Sequence, residues 1–164
     1  MNARSEPTIW RQFLVASIVS GIAAGIFSTL VQIVFWILFT DAFPAILWRD
    51  TGLTAALVLG PGALGATGIP DLQALIAASV IHFGLSTIYA AIMGALASPL
   101  GQPWYSAAGV LMGLGLYVVN LYGFTLLFPW FEAARDWITV VAHAAFGVSA
   151  VLAFRWQLGQ MRYA

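Results

Sequence analysis

The sequence predicts an all-α integral membrane protein: a four-helix bundle with a short interfacial or re-entrant segment between its first two spans. Three observations carry this expectation. Hydrophobic residues make up 62% of the chain, 7% of residues are charged, and mean hydropathy is +0.94, against roughly 25% charged residues in an ordinary soluble domain. Four apolar stretches reach or exceed the ~20 residues that a helix needs to cross the hydrocarbon core: Gln12 to Thr40, Leu72 to Ala97, Trp104 to Phe128 and Trp137 to Leu158. In 164 residues these spans and their connections leave no room for a soluble domain, so a single transmembrane domain over residues 1–164 is expected.

The first span is expected to remain in the mature protein. Its apolar stretch is far longer than the ~7–15-residue core of a cleavable signal, and bulky residues follow where cleavage would need small ones. After it comes "DAFPAILWRDTGLTAALVLGPGALGATGIP", Asp41 to Pro70, with too few charges for an ordinary loop. Thr51 to Leu59 is apolar but about half a span long, and the "GPG" at Gly60 to Gly62 breaks any helix there. This segment either lies in the interface, with Trp48 and Arg49 as anchors, or dips into the membrane and returns. Re-entrant backbone must be covered by protein or water, because unpaired N–H and C=O groups are costly in hydrocarbon. The "SPLGQPW" turn, Ser98 to Trp104, carries no charge. Between the last two spans Glu132, Arg135 and Asp136 read as a solvated turn, with Asp136 placed to cap the fourth span.

Basic residues suggest the orientation. Arg4 and Arg11 precede the first span and Arg155 and Arg162 end the last, so the positive-inside rule predicts cytoplasmic termini. Arg49 and Arg135 are the exceptions. The tryptophans at 10, 48, 104, 130, 137 and 156 fall near span ends and read as interface anchors.

Small residues at helical spacing indicate where helices approach. Ser17, Gly21, Gly25 and Thr29 recur every fourth residue in the first span, and Gly109 and Gly113 do so in the third. Such stripes let backbones come close without the hydrophobic driving force that lipid fails to supply. The stripes suit packing within the chain or a contact in a homo-oligomer or larger membrane complex.

The chain's two histidines, His82 and His143, fall inside apolar runs. With a helical rise of ~1.5 Å per residue, His82 comes near the membrane centre, and Gln32, Asn120 and His143 come roughly 5–10 Å toward the outer face. Each span thus contributes a hydrogen-bonding side chain to one polar layer. Ser79, His82, Ser86 and Tyr89 share a face of the second span, with Met93 below. Gly109, Gly113, Tyr117 and Asn120 share one on the third, and Thr139, His143 and Gly147 one on the fourth. The layer either fixes helix register through interhelical hydrogen bonds or serves function, since ionisable groups inside membranes often mark ion, proton or ligand sites. Imidazole, with a pKa of about 6.5, is suited to proton exchange. A b-type haem held by His82 and His143 is the cofactor alternative, with Gly84 and Gly147 leaving room for the macrocycle.

Other chemistries lack their residues. The chain has no cysteine, which excludes disulfides, thiol catalysis and thiolate metal sites; two histidines without a carboxylate beside them fall short of a zinc or copper ligand set. No paired carboxylates, nucleophile elbow or phosphate-cradling loop occurs within a span. Six basic and six acidic residues leave no net charge, and nothing marks a nucleic-acid partner. The expected function is therefore non-enzymatic.

"HFGLSTIYAAIMG", "GLGLYVVNLYGFTLLFP" and "VVAHAAFGVSAVLAFRW" resemble the YagU-like small bacterial inner-membrane proteins, over roughly the second half of the chain. The resemblance implies an inner-membrane location, a link to acid tolerance and no established catalytic activity. His82 and His143 are its matching histidines, whereas Asn120 stands near where a histidine is expected, and the first loop departs from the family pattern. Two functions follow as expectations: a small inner-membrane protein whose His/Asn/Gln layer handles protons or a small solute, or an accessory or assembly subunit of a larger complex.

Overall fold

The computed structural model describes residues 6–65, 68–101 and 104–163. Five α-helices carry the chain: α1 (Glu6–Phe39), α2 (Ala45–Leu59), α3 (Leu72–Ala97), α4 (Trp104–Val118) and α5 (Trp137–Tyr163). No strand occurs among the described residues. Ile9–Phe39, Leu72–Ala97, Trp104–Leu126 and Trp137–Met161 are long and apolar enough to cross a membrane. Their outward positions are apolar, as at Leu14, Val80 and Leu111, the reverse of a water-facing helix. Arg4 and the side chain of Arg162 lie outside the described residues.

Local chemistry sets the helix ends. The Asp71 carboxylate accepts from Ala74 N at 2.8 Å and opens α3; Asp136 accepts from Thr139 N at 2.8 Å at the start of α5. Both satisfy an N–H that the first turn leaves unpaired. Gly60 stops α2 with φ +81, a left-handed setting open to glycine, and Pro61–Gly65 continues as a 3-10 helix.

Three expectations need correction. The apolar stretch after the first span begins its helix earlier than Thr51, because Ala45 to Asp50 joins the same 15-residue helix. The third span is not one α-helix to Phe128: α4 gives way at Val118 to a π-helical turn, Val119–Gly123, and then a 3-10 turn, Phe124–Leu126. Arg135 is more than part of a solvated turn. Its Nε donates to Leu121 O at 2.7 Å, its Nη2 donates to Thr125 Oγ1 at 2.8 Å, and the guanidinium covers the Tyr122 ring at 4.4 Å. It thereby serves a carbonyl in the π turn.

α1 packs against both α3 and α5, α4 packs against α5, and α3 meets α4 at few points. Glycines set the close approaches. A Cβ on Gly21 would overlap the Thr87 backbone and lie 2.8 Å from Ser86 C; one on Gly25 would lie 3.1 Å from His82 Nε2. Gly109, Gly113 and Gly147 bring α4 onto α5 so tightly that a Cβ on Gly147 would overlap Gly109 O and lie 2.8 Å from Gly113 Cα.

These contacts divide the molecule into two halves. Toward the chain termini, Ala24, Ala90, Met93, Ala97, Tyr105, Phe146, Ala150 and Val151 fill the interior, and Phe154 covers Gly94. Toward α2 the helices leave a cavity that opens on one side to the surface.

Candidate functional site

The cavity has a volume of about 920 Å³, at the upper end of the ~300–1,000 Å³ typical of small-molecule sites. Its position follows from the helix contacts. α1 packs against both α3 and α5, and α4 packs against α5, while α3 and α4 barely meet, which leaves space between α3 and the third apolar helix on the α2 side. Gln32 and Trp36 of α1, His82, Ser86 and Tyr89 of α3, Asn120 of the π turn and His143 of α5 all line it. Most of the remaining lining is Leu, Ile, Val, Phe and Ala.

The π turn carries Asn120 toward two neighbours. Tyr89 OH donates to Asn120 Oδ1 at 2.9 Å, and Asn120 Nδ2 lies 3.4 Å from His143 Nε2. His143 Nδ1 is 2.8 Å from Thr139 O. A carbonyl only accepts, so Nδ1 carries the proton in that bond and Nε2 is left to accept from Asn120. Gln32 Nε2 donates to Thr139 Oγ1 at 3.1 Å. Tyr89, Asn120, His143, Thr139 and Gln32 thus form one group that draws on all four spans. Each polar side chain in it finds a partner, as burial requires.

His82 belongs to a second group. Its Nε2 lies 3.4 Å from both Gly25 O and Thr29 Oγ1, while Phe83 stacks edge-on against the ring at 5.1 Å. No hydrogen bond joins His82 to the Asn120–His143 group, although both open on the same cavity. Ser86, one turn along α3, is 4% exposed and makes no hydrogen bond to any described residue; its Oγ would lie 3.0 Å from a Cβ on Gly25. It therefore offers a free donor and acceptor on the cavity wall.

For the haem alternative, Gly147 supplies no room: its missing side chain is filled by the backbone of Gly109 and Gly113. Gly84 has open space beside it. Both nitrogens of His143 already face partners, so an iron ligand from that ring would have to give one up. No group of three or more His, Cys, Asp or Glu able to hold a metal ion occurs among the described residues.

Asp50 of α2 is the one carboxylate lining the cavity among the described residues. Arg49 holds it, with Nε at 2.8 Å and Nη2 at 2.7 Å from Oδ1. Burial nevertheless raises its pKa to about 6, against the opposing pull of Arg49, because desolvation penalises the charged form. Above the cavity α2 is tied down where Trp130 Nε1 donates to Leu53 O at 3.1 Å. Leu121, Ala134 and Phe131 pack around that point.

Sequence reasoning missed Asp50 and Trp36. Trp36 is 2% exposed and its position inside the first span sets it apart from the span-end tryptophans. Asp50 stands in the stretch between the first two spans and, within α2, turns onto the cavity. No known protein family matches the chain, and no characterised protein or solved structure is similar to it.

Proposed function

We propose that this chain is a non-enzymatic, four-span protein of a bacterial inner membrane that binds a small solute in the cavity between α3 and the third span. The observation that supports this reading is the cavity itself. About 920 Å³ is kept open in a protein whose other half is filled to the backbone, and the polar side chains of all four spans line it. A layer needed only for register would close on itself, as Asn120 and His143 do with their neighbours. His82 and Ser86 keep hydrogen-bonding capacity toward the space. The glycine stripes of α1 and α4 are used within the chain on this reading, which suits a protein able to act without a partner subunit. By the positive-inside rule, Arg11 and Arg155 favour cytoplasmic termini, with α2 on the opposite face.

Native mass spectrometry of the protein released from micelles tests the reading. The wild type should carry a co-purified small molecule, and Leu57→Trp, which adds bulk to a cavity-lining position on α2, should lose it while keeping its helix content. Equal occupancy of both proteins, or none in either after native extraction and supplementation with total membrane lipid extract, would refute cavity binding.

A further inference from the structure

The cavity wall also bears on what kind of solute enters and by which route. Several residues that line the cavity are at the same time exposed on the outside of the helices: Leu30, Val80, Gly84, Ile88 and Phe124. These five are apolar or lack a side chain, Ser79 being a polar residue that likewise lines the cavity and is exposed, and all lie within the stretches long and apolar enough to cross a membrane. Gly84 has no atom within 4 Å of where its Cβ would stand. The cavity is therefore continuous with the surface that meets acyl chains. Its other end is roofed by α2, which Trp130 fastens through Leu53 O, and by the Pro129–Ala134 turn, which Arg135 ties to the end of the third span.

The polar part of the wall has its own character. His82 and Ser86 stand one helical turn apart facing the space, and Ser86 is 4% exposed with no hydrogen-bond partner among the described residues. Apart from Asp50, at the α2 end and already held by Arg49, no described carboxylate or guanidinium lines the cavity. A full charge placed there would lose its hydration without a counter-charge, at a cost of several kcal/mol. An uncharged hydroxyl or carbonyl would meet hydrogen-bonding groups of its own kind, while a hydrocarbon tail would meet Leu, Ile and Phe.

We infer that the solute is an uncharged amphiphile that enters sideways from the bilayer past Gly84 and seats its oxygen-bearing head on Ser86 and His82. This deepens the cavity reading and rests on it. Monoolein, an uncharged single-chain lipid with ester and hydroxyl oxygens, is the probe. A diazirine-bearing monoolein analogue should label the wild-type protein in nanodiscs saturably, at residues lining the cavity, and unlabelled monoolein should compete. Ser86→Ala combined with His82→Phe should weaken competition at least fivefold. Gly84→Trp, which fills open space at the portal, should slow labelling without changing its final extent.

Three outcomes would overturn the proposal. They are labelling spread over the whole apolar surface without saturation, competition by a water-soluble cation such as choline but not by monoolein, and equal labelling rates for wild type and Gly84→Trp. The Leu57→Trp comparison separates the two claims. A co-purified solute that Leu57→Trp loses, but that proves charged and water-soluble, contradicts this inference and leaves cavity binding standing; no solute at all removes both.

Discussion

Two glycines of the apolar helices should respond in opposite ways to the same substitution. A Cβ on Gly147 would lie 2.8 Å from both Cα and N of Gly113 and overlap Gly109 O, whereas one on Gly84 meets nothing within 4 Å. Carbon atoms rest about 3.5–4.0 Å apart, so even one methyl group at 147 must push α4 from α5 by roughly 0.7–1.2 Å. A gap of that size forfeits roughly a quarter to a half of each dispersion contact along the interface. Overpacking costs about 1–3 kcal/mol in general, and Gly147→Leu adds a full side chain where no space exists, which puts it at the upper end. The same movement lengthens the Asn120–His143 contact beyond its present 3.4 Å. Gly84→Leu should be neutral or stabilising by up to about 1 kcal/mol, since glycine is the weaker helix former. Unfolding titrations with SDS in mixed micelles, followed by circular dichroism and tryptophan fluorescence, measure both. The two variants should differ by about 3 kcal/mol, with Gly147→Leu the weaker. Equal midpoints would show that α4 and α5 do not meet through these glycines.

Arg135→Met should destabilise the protein by about 2–4 kcal/mol, because two hydrogen bonds from a charged donor are lost and the π-turn carbonyl of Leu121 is left without its guanidinium partner; Arg135→Lys should recover only part of this, as read by the same SDS titration. Asp50 predicts a pH dependence. Its folded pKa is raised from 3.8 to about 6, so the native state holds the proton more tightly, and its contribution to stability should fall as pH rises from about 4 to about 6 and level off above. Asp50→Asn should flatten that part of the stability profile, and an unchanged profile would contradict the buried placement. Reporter fusions at either terminus should report from the cytoplasm; a periplasmic signal from one end would overturn the even span count or the orientation.

Composition and span length made the all-α class and the four apolar helices legible before any coordinates, because both are properties of residue totals and runs. The caps at Asp71 and Asp136 belong to the same local chemistry. What stayed hidden was geometry that depends on distant residues. The π turn at Val119–Gly123 has no mark of its own in the sequence, since the residue that serves its carbonyl, Arg135, comes after a further turn and looks like loop charge. The early start of α2 was obscured by Pro44 and by the polar run Arg49, Asp50 and Thr51. The candidate polar layer was visible by depth alone, and its side chains do line one cavity. Its division into a closed Asn120–His143 group and an open His82–Ser86 wall follows from side-chain directions that spacing along single helices does not encode. Hollow space is likewise a relation among helices: the gap arises because α3 and α4 barely meet.

The two histidines offer the most direct test that the cavity binds a solute through its open wall. Imidazole ¹⁵N chemical shifts of protein in nanodiscs distinguish the tautomers and report new hydrogen bonds. With monoolein added, the His82 nitrogens should shift saturably, while His143 should keep its Nδ1-protonated pattern, because both of its nitrogens already face Thr139 O and Asn120. A saturable change at His143 with none at His82, or no change at either ring, would contradict the account.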